Sequence, residues 1–117
     1  MVHTFVAEQD QIERHGKPAY AEYLRVNIDL QSAKARGFGL TVDSTEEDIQ
    51  FIVSRAVNRM INQVGLIGTP SQCLEQATRF AAMGIDELAC LIDFGVEDAR
   101  VLSSLEQVAL IADKLRS

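Results

Sequence analysis

Leu88-Ala89-Cys90-Leu91-Ile92, running into Asp93-Phe94-Gly95, is the stretch on which the fold turns. Five apolar residues in succession, with no polar alternation, describe a strand covered on both faces, the usual setting of a parallel strand. A shorter apolar run, Leu66-Ile67, precedes it, and a helix separates the two. Thr69 is a natural N-cap for that helix, Pro70 its first residue and Gln72 the capping-box partner. Cys73, Leu74, Ala77, Phe80 and Ala81 then point inward until Gly84 stops the helix. After the Asp93-Phe94-Gly95 turn, a final helix from about Glu97 to Leu115 is expected to pack Val101, Leu102, Leu105, Val108, Ala109, Ala112 and Leu115 inward. From Gly65 onward the order is strand, helix, strand, helix with short links, the rhythm of right-handed parallel βαβ units. The fold class is α/β.

Working back from Gly65, Ile49, Ile52, Val53, Ala56, Val57, Met60, Ile61 and Val64 recur at three- and four-residue spacing and predict one amphipathic helix. Ser44-Thr45-Glu46-Glu47 reads as its capping box and Gly65 as a left-handed stop. Gly37-Phe38-Gly39 reads as a loop. Upstream, Pro18 starts a helix carrying Tyr20, Tyr23, Leu24, Ile28 and Leu30. Gly16-Lys17-Pro18 reads as a break between it and a first helical stretch from Gln9 to Arg14. Val2-His3-Thr4-Phe5-Val6, rich in β-branched and aromatic residues, reads as the opening strand.

The composition bounds the rest. With 117 residues, 47% of them hydrophobic, the chain is sized for one domain with an apolar core. Seventeen acidic residues outnumber eleven basic ones, and the basic ones are scattered, which argues against nucleic acid or an anionic membrane as a partner. No apolar run approaches the roughly 18 residues of a membrane span. Met1 to Glu8 lacks the pattern of a secretory signal, so the expected compartment is the cytoplasm, with Cys73 and Cys90 reduced and acting as small core hydrophobes. His3 and His15 stand far in sequence from both cysteines, and no metal-ligand spacing is present.

Three features carry candidate chemistry, each beside a plainer reading. Gly68-Thr69-Pro70 opens a helix and presents free N-H groups suited to a phosphate, yet an ordinary N-cap uses the same residues. Asp93 follows the carboxyl end of a parallel strand, where α/β proteins place their ligands; alternatively it caps the turn while Phe94 fills a gap in the packing. His3 and Thr4, near the end of the first strand, could line the same mouth, or His3 could be a structural residue. No nucleophile with a base, no carboxylate pair and no glycine-rich cofactor loop is visible.

The combination of His3-Thr4-Phe5-Val6, Tyr23-Leu24-Arg25 with Asp29-Leu30, Gly65-Leu66-Ile67-Gly68-Thr69-Pro70 with Cys73-Leu74-Glu75, and Gly84-Ile85-Asp86-Glu87-Leu88-Ala89-Cys90-Leu91-Ile92-Asp93-Phe94-Gly95-Val96 resembles the C-terminal part of luciferase-like flavin monooxygenases. The branch it most resembles accompanies polyketide and nonribosomal peptide synthetases. The likeness spans nearly the whole chain, and its last motif is the most specific.

Such enzymes are (β/α)8 TIM barrels that bind reduced FMN at the carboxyl-terminal mouth and use O2 to oxygenate an organic substrate. The resemblance implies that Val2 to Val6 is the sixth strand, Leu66-Ile67 the seventh and Leu88 to Ile92 the eighth. The helices from Gln9 to Val64 would then form an insertion between strands six and seven. His3, Thr4, Asp93 and Phe94 become the barrel-mouth candidates for binding cofactor or substrate, with no catalytic residue assigned. Residues 1–117 would be a single partial domain, because a closed barrel takes about 250 residues. Most FMN contacts would lie on the strands this chain lacks. Three parallel strands alone would leave one face and two edges bare, which invites a chain supplying the N-terminal strands, or a homo-oligomer. The expected function is that of a monooxygenase segment needing a partner chain. The alternative is a non-catalytic, self-associating assembly module.

Overall fold

The computed structural model describes residues 1–30 and 46–116. The expected Gly37-Phe38-Gly39 loop and the Ser44-Thr45 half of the expected capping box lie outside the described residues. The chain forms an α/β domain whose sheet has three parallel strands, β1 (Val2–Val6), β2 (Leu66–Gly68) and β3 (Cys90–Leu91), in the order β2-β1-β3. Thr4, Phe5 and Val6 pair with Leu66, Ile67 and Gly68. Val2 and His3 pair with Cys90 and Leu91.

Strand alternation sends Phe5 and Ile67 to one face and Val6 and Leu66 to the other. On the first face, helices α2 (Lys17–Leu30) and α3 (Glu46–Arg59) pack Tyr20, Val53 and Val57 against Phe5, Ile12, Ile67 and Phe94. On the second, α4 (Pro70–Ala82) and α5 (Asp98–Arg116) pack Cys73, Ala77, Phe80 and Ile111 against Val6 and Leu66. Helices therefore cover both faces, where one bare face was expected. Two edges remain, but they lie on β2 and β3, where strands six, seven and eight of a barrel would have left them on β1 and β3.

The Gly16 break is overturned. Short α1 (Gln9–Gln11) continues through a π-helical stretch, Ile12–Gly16, directly into α2. A Cβ at Gly16 would stand 2.9 Å from the Phe5 ring, so this glycine serves close helix-to-strand approach. Pro18 follows the widened turns, where its ring and missing N-H are more easily accommodated than in a tight ladder. Arg25 of α2 is ion-paired with Glu46 of α3, joining the two helices.

Gly65 is also not a left-handed stop. Its φ of −111° and ψ of −172° are extended, after α3 has continued through a π-helical stretch, Met60–Val64. A Cβ there would have to displace the Met60 side chain and would crowd the His3 carbonyl at 3.2 Å, so the glycine serves close approach to β1. Gly84, at φ +89°, does close α4 in the left-handed region.

Thr69 caps α4 as its sequence predicts: its Oγ1 accepts from the Gln72 N-H at 3.3 Å, and the Gln72 Oε1 accepts from the Thr69 N-H at 3.0 Å. Inside the helix, the buried set is Cys73, Gln76, Ala77 and Phe80, so Gln76 replaces the expected Ala81.

Two expectations fail at the sheet's third strand and the last helix. β3 comprises two paired residues, and Cys90 is exposed, so it is not the core hydrophobe that Cys73 is. In α5 the buried residues are Ser104 and Ile111, while Leu102, Leu105 and Leu115 reach solvent. The cause is a backbone donor. β3 accompanies β1 only as far as His3, which leaves the Val6 N-H on that side without a strand partner. The Ser104 Oγ accepts from it at 2.8 Å, satisfying a buried N-H and fixing how α5 is rolled.

Candidate functional site

The turn after β3 carries Phe94 back onto the first sheet face. Gly95 permits this with φ +106°, and Phe94 is only 4% exposed. There it meets the His3 ring at 5.9 Å between centroids and the Tyr20 ring at 5.6 Å, both edge to face. His3 also lies edge-on to Tyr20 at 4.8 Å and to Tyr23 at 5.2 Å. Tyr20 and Tyr23, one helical turn apart on α2, stack at 5.9 Å. Four rings from three elements thus form one cluster, in geometries that aromatic quadrupoles favour.

Beside it runs a groove of about 360 Å³, bordered by Tyr23, Val26, Phe94 and Gly95, with Glu22 and Asn27 as its polar members. The Asn27 side-chain nitrogen donates to the Tyr23 carbonyl at 2.8 Å, holding that side chain along the helix.

Burial governs the electrostatics of the cluster. The His3 Nε2 is buried without a hydrogen-bond partner, and desolvation holds the ring's pKa below its ordinary value of 6.5. Desolvation, with Tyr23 adding to it, pushes the Tyr20 hydroxyl up to about 12, so it stays protonated across the physiological range. The His3 shift has a stability consequence. Folded His3 holds a proton less tightly than the unfolded chain does, so its contribution is intact above pH 6.5 and is lost as pH falls through the lower folded value. Urea midpoints measured from pH 7.5 to 5 should therefore fall more steeply for the wild type than for His3→Phe. Identical slopes would show that the ring is not desolvated.

The four residues expected at a common mouth are partly separated. His3 and Phe94 meet in the ring cluster. Thr4 points to the opposite face, buried, with its hydroxyl donating to the Val2 carbonyl at 3.0 Å. Asp93 is exposed at the start of the turn. The cluster lies over the sheet face rather than beyond the strand ends, because His3 sits level with Leu91, near the beginning of β1. Tyr20 and Tyr23 are visible in sequence only as core positions of a helix, and nothing local marks them as partners of a histidine.

A second concavity, of about 490 Å³, opens at the carboxyl end of β1 between Val6, Glu8, Gln11, Pro70 and the first turns of α5. Arg100 is its cation. The Arg100 guanidinium donates to the Gln11 side-chain oxygen and lies 3.6 Å from the Glu97 carboxylate. Glu8, Glu97 and Glu106 make the rim predominantly acidic. Among the described residues, no group of three or more His, Cys, Asp and Glu stands close enough to hold a metal ion. Among them, too, no helix is long and apolar enough to cross a membrane.

No protein-family model matches the chain, and no curated protein is significantly similar to it.

Proposed function

We propose that this chain is the C-terminal segment of a luciferase-like, FMN-dependent monooxygenase, active together with the remaining barrel strands. The observation that carries the reading is the seating of Asp93-Phe94-Gly95. The most specific motif of the chain directs an aromatic side chain from the end of a parallel strand into a ring cluster, beside an apolar groove. A volume of about 360 Å³ lies within the roughly 300–1,000 Å³ typical of small-molecule sites.

The groove suits the planar ring system of a flavin and not its phosphate. Tyr23 and Phe94 offer aromatic surface, whereas the charged neighbour, Glu22, repels an anion. Phosphate binding would fall to the remaining strands. Bound reduced FMN would supply the oxygen chemistry. This chain would orient the ring and exclude water, for which a buried aromatic wall is suited.

Neighbouring strands of a barrel follow one another in sequence, whereas here β1 lies between β2 and β3. Completing a barrel would require β3 to leave β1 and move beside β2. The present order is held by the Val2↔Cys90 and His3↔Leu91 pairs, by the seating of Phe94 and by the Ser104–Val6 hydrogen bond, so the reading requires the remaining strands to displace these contacts.

The test is to mix the chain with one carrying the first five strands of such a barrel and to follow FMN fluorescence and complex mass together. A complex that binds FMN, with binding weakened about tenfold by Tyr23→Ala, is expected from loss of the half-buried aromatic wall of the groove. A stable complex that leaves FMN fluorescence unchanged would sink the reading.

The second reading, a non-catalytic assembly module, draws on the open edges of β2 and β3 and the leucines that α5 turns outward. A discrete flavin-free oligomer would favour it.

A further inference from the structure

The face that α5 turns to solvent has an order of its own. Asp98, Leu102, Leu105, Ala109, Ala112 and Arg116 follow one another at spacings of four, three, four, three and four residues. That is the spacing of a seam between two helices. Ser104 fixes the roll of the helix and so sets this row outward, leaving Leu102 64% and Leu105 36% exposed. The row spans five helical turns, about 27 Å.

Its composition is self-complementary in one orientation only. Reversed about the level of Gln107, the row sets Asp98 against Arg116, Leu102 against Ala112 and Leu105 against Ala109. Each charge meets its opposite, and each large residue meets a small one, so the helices can approach closely. A parallel pairing would set Asp98 on Asp98 and Arg116 on Arg116, which is repulsive. We infer that α5 pairs antiparallel with α5 of a second copy of this chain, about a two-fold axis at the level of Gln107.

This assigns a surface to the self-association reading above and is independent of the flavin. Two helices of this length bury an area at the small end of specific interfaces, so the dimer is concentration-dependent. Arg116 would exchange its exposed pairing with Asp113, at 3.7 Å, for the second copy's Asp98, a change of little cost because exposed pairs are weak.

Sedimentation equilibrium of the full chain over a range of concentrations tests the pairing. The wild type should fit a monomer–dimer equilibrium. Leu102→Glu should raise the dissociation constant about tenfold or more, with far-UV circular dichroism unchanged because Leu102 contributes nothing to the core. Asp98→Arg and Arg116→Asp should each weaken dimerisation, and an equimolar mixture of the two should recover it as a heterodimer, a result that loss of folding cannot produce. A wild-type dimer indifferent to Leu102→Glu and to both charge changes would overturn this pairing and leave self-association through the sheet edges standing. A wild type that stays monomeric at all concentrations would overturn both.

Discussion

Phe5→Ala should cost about 3–5 kcal/mol, the usual range for a fully buried aromatic, out of a total stability of about 5–15 kcal/mol for a domain. Phe5 is 1% exposed and sits on the central strand, at the middle of the larger core. Its ring lies against the helix at Gly16, where a Cβ would stand 2.9 Å from it. Truncation would thus leave a cavity bounded by Gly16, Ile67 and the α2 helix, which close packing elsewhere prevents from collapsing. Denaturant unfolding at fixed pH measures the effect. A loss below about 1 kcal/mol would mean that the π-helical stretch moves inward to fill the gap and that the Phe5–Gly16 contact is not what sets the helix position.

The two thiols should react in two well-separated phases, the exposed Cys90 fast and the buried Cys73 slow. Burial pushes the Cys73 thiol up to about 12 from an ordinary value of 9, and the thiolate is the reactive form. Its side chain is also enclosed between α4 and the second sheet face, whereas Cys90 stands in the open on the edge strand. With a thiol reagent at neutral pH, one equivalent should react at once and the second only as the chain opens. Cys90→Ser should abolish the fast phase and leave the slow one. Two fast thiols in the wild type would show that α4 is not packed on the sheet.

The edge position of Cys90 illustrates how far the sequence could be read. The apolar run Leu88 to Ile92 was legible as a parallel strand, and a two-residue parallel strand does form within it, but none of the five residues is buried and Ala89 and Cys90 are exposed, so the cover on both faces that the run implied is absent. Its neighbour was not legible. Whether β3 joins β1 or β2 depends on pairings among residues more than twenty positions apart, and an apolar run carries no label for its partner. The ring cluster is similar. Phe94 after a strand and His3 within one could be named as candidates, but Tyr20 and Tyr23 join them only because α2 crosses that face of the sheet. Thr4 went to the other face by the alternation of the strand itself, which the sequence does contain once the pairing is known.

What the sequence determined by itself was local: the α/β class, the strand positions, the Thr69–Gln72 cap, the apolar stripe of α3 and the stop at Gly84. These depend on spacing, caps and glycine conformations within a few residues. The tertiary structure alone decided the order β2-β1-β3, the roles of Gly16 and Gly65 as points of close approach, and the roll of α5. That roll shows the reason most directly. The apolar spacing of α5 favours Leu102 and Leu105 inward, but a buried N-H of Val6, ninety-eight residues from Ser104, requires an acceptor, and satisfying it turns the leucines out.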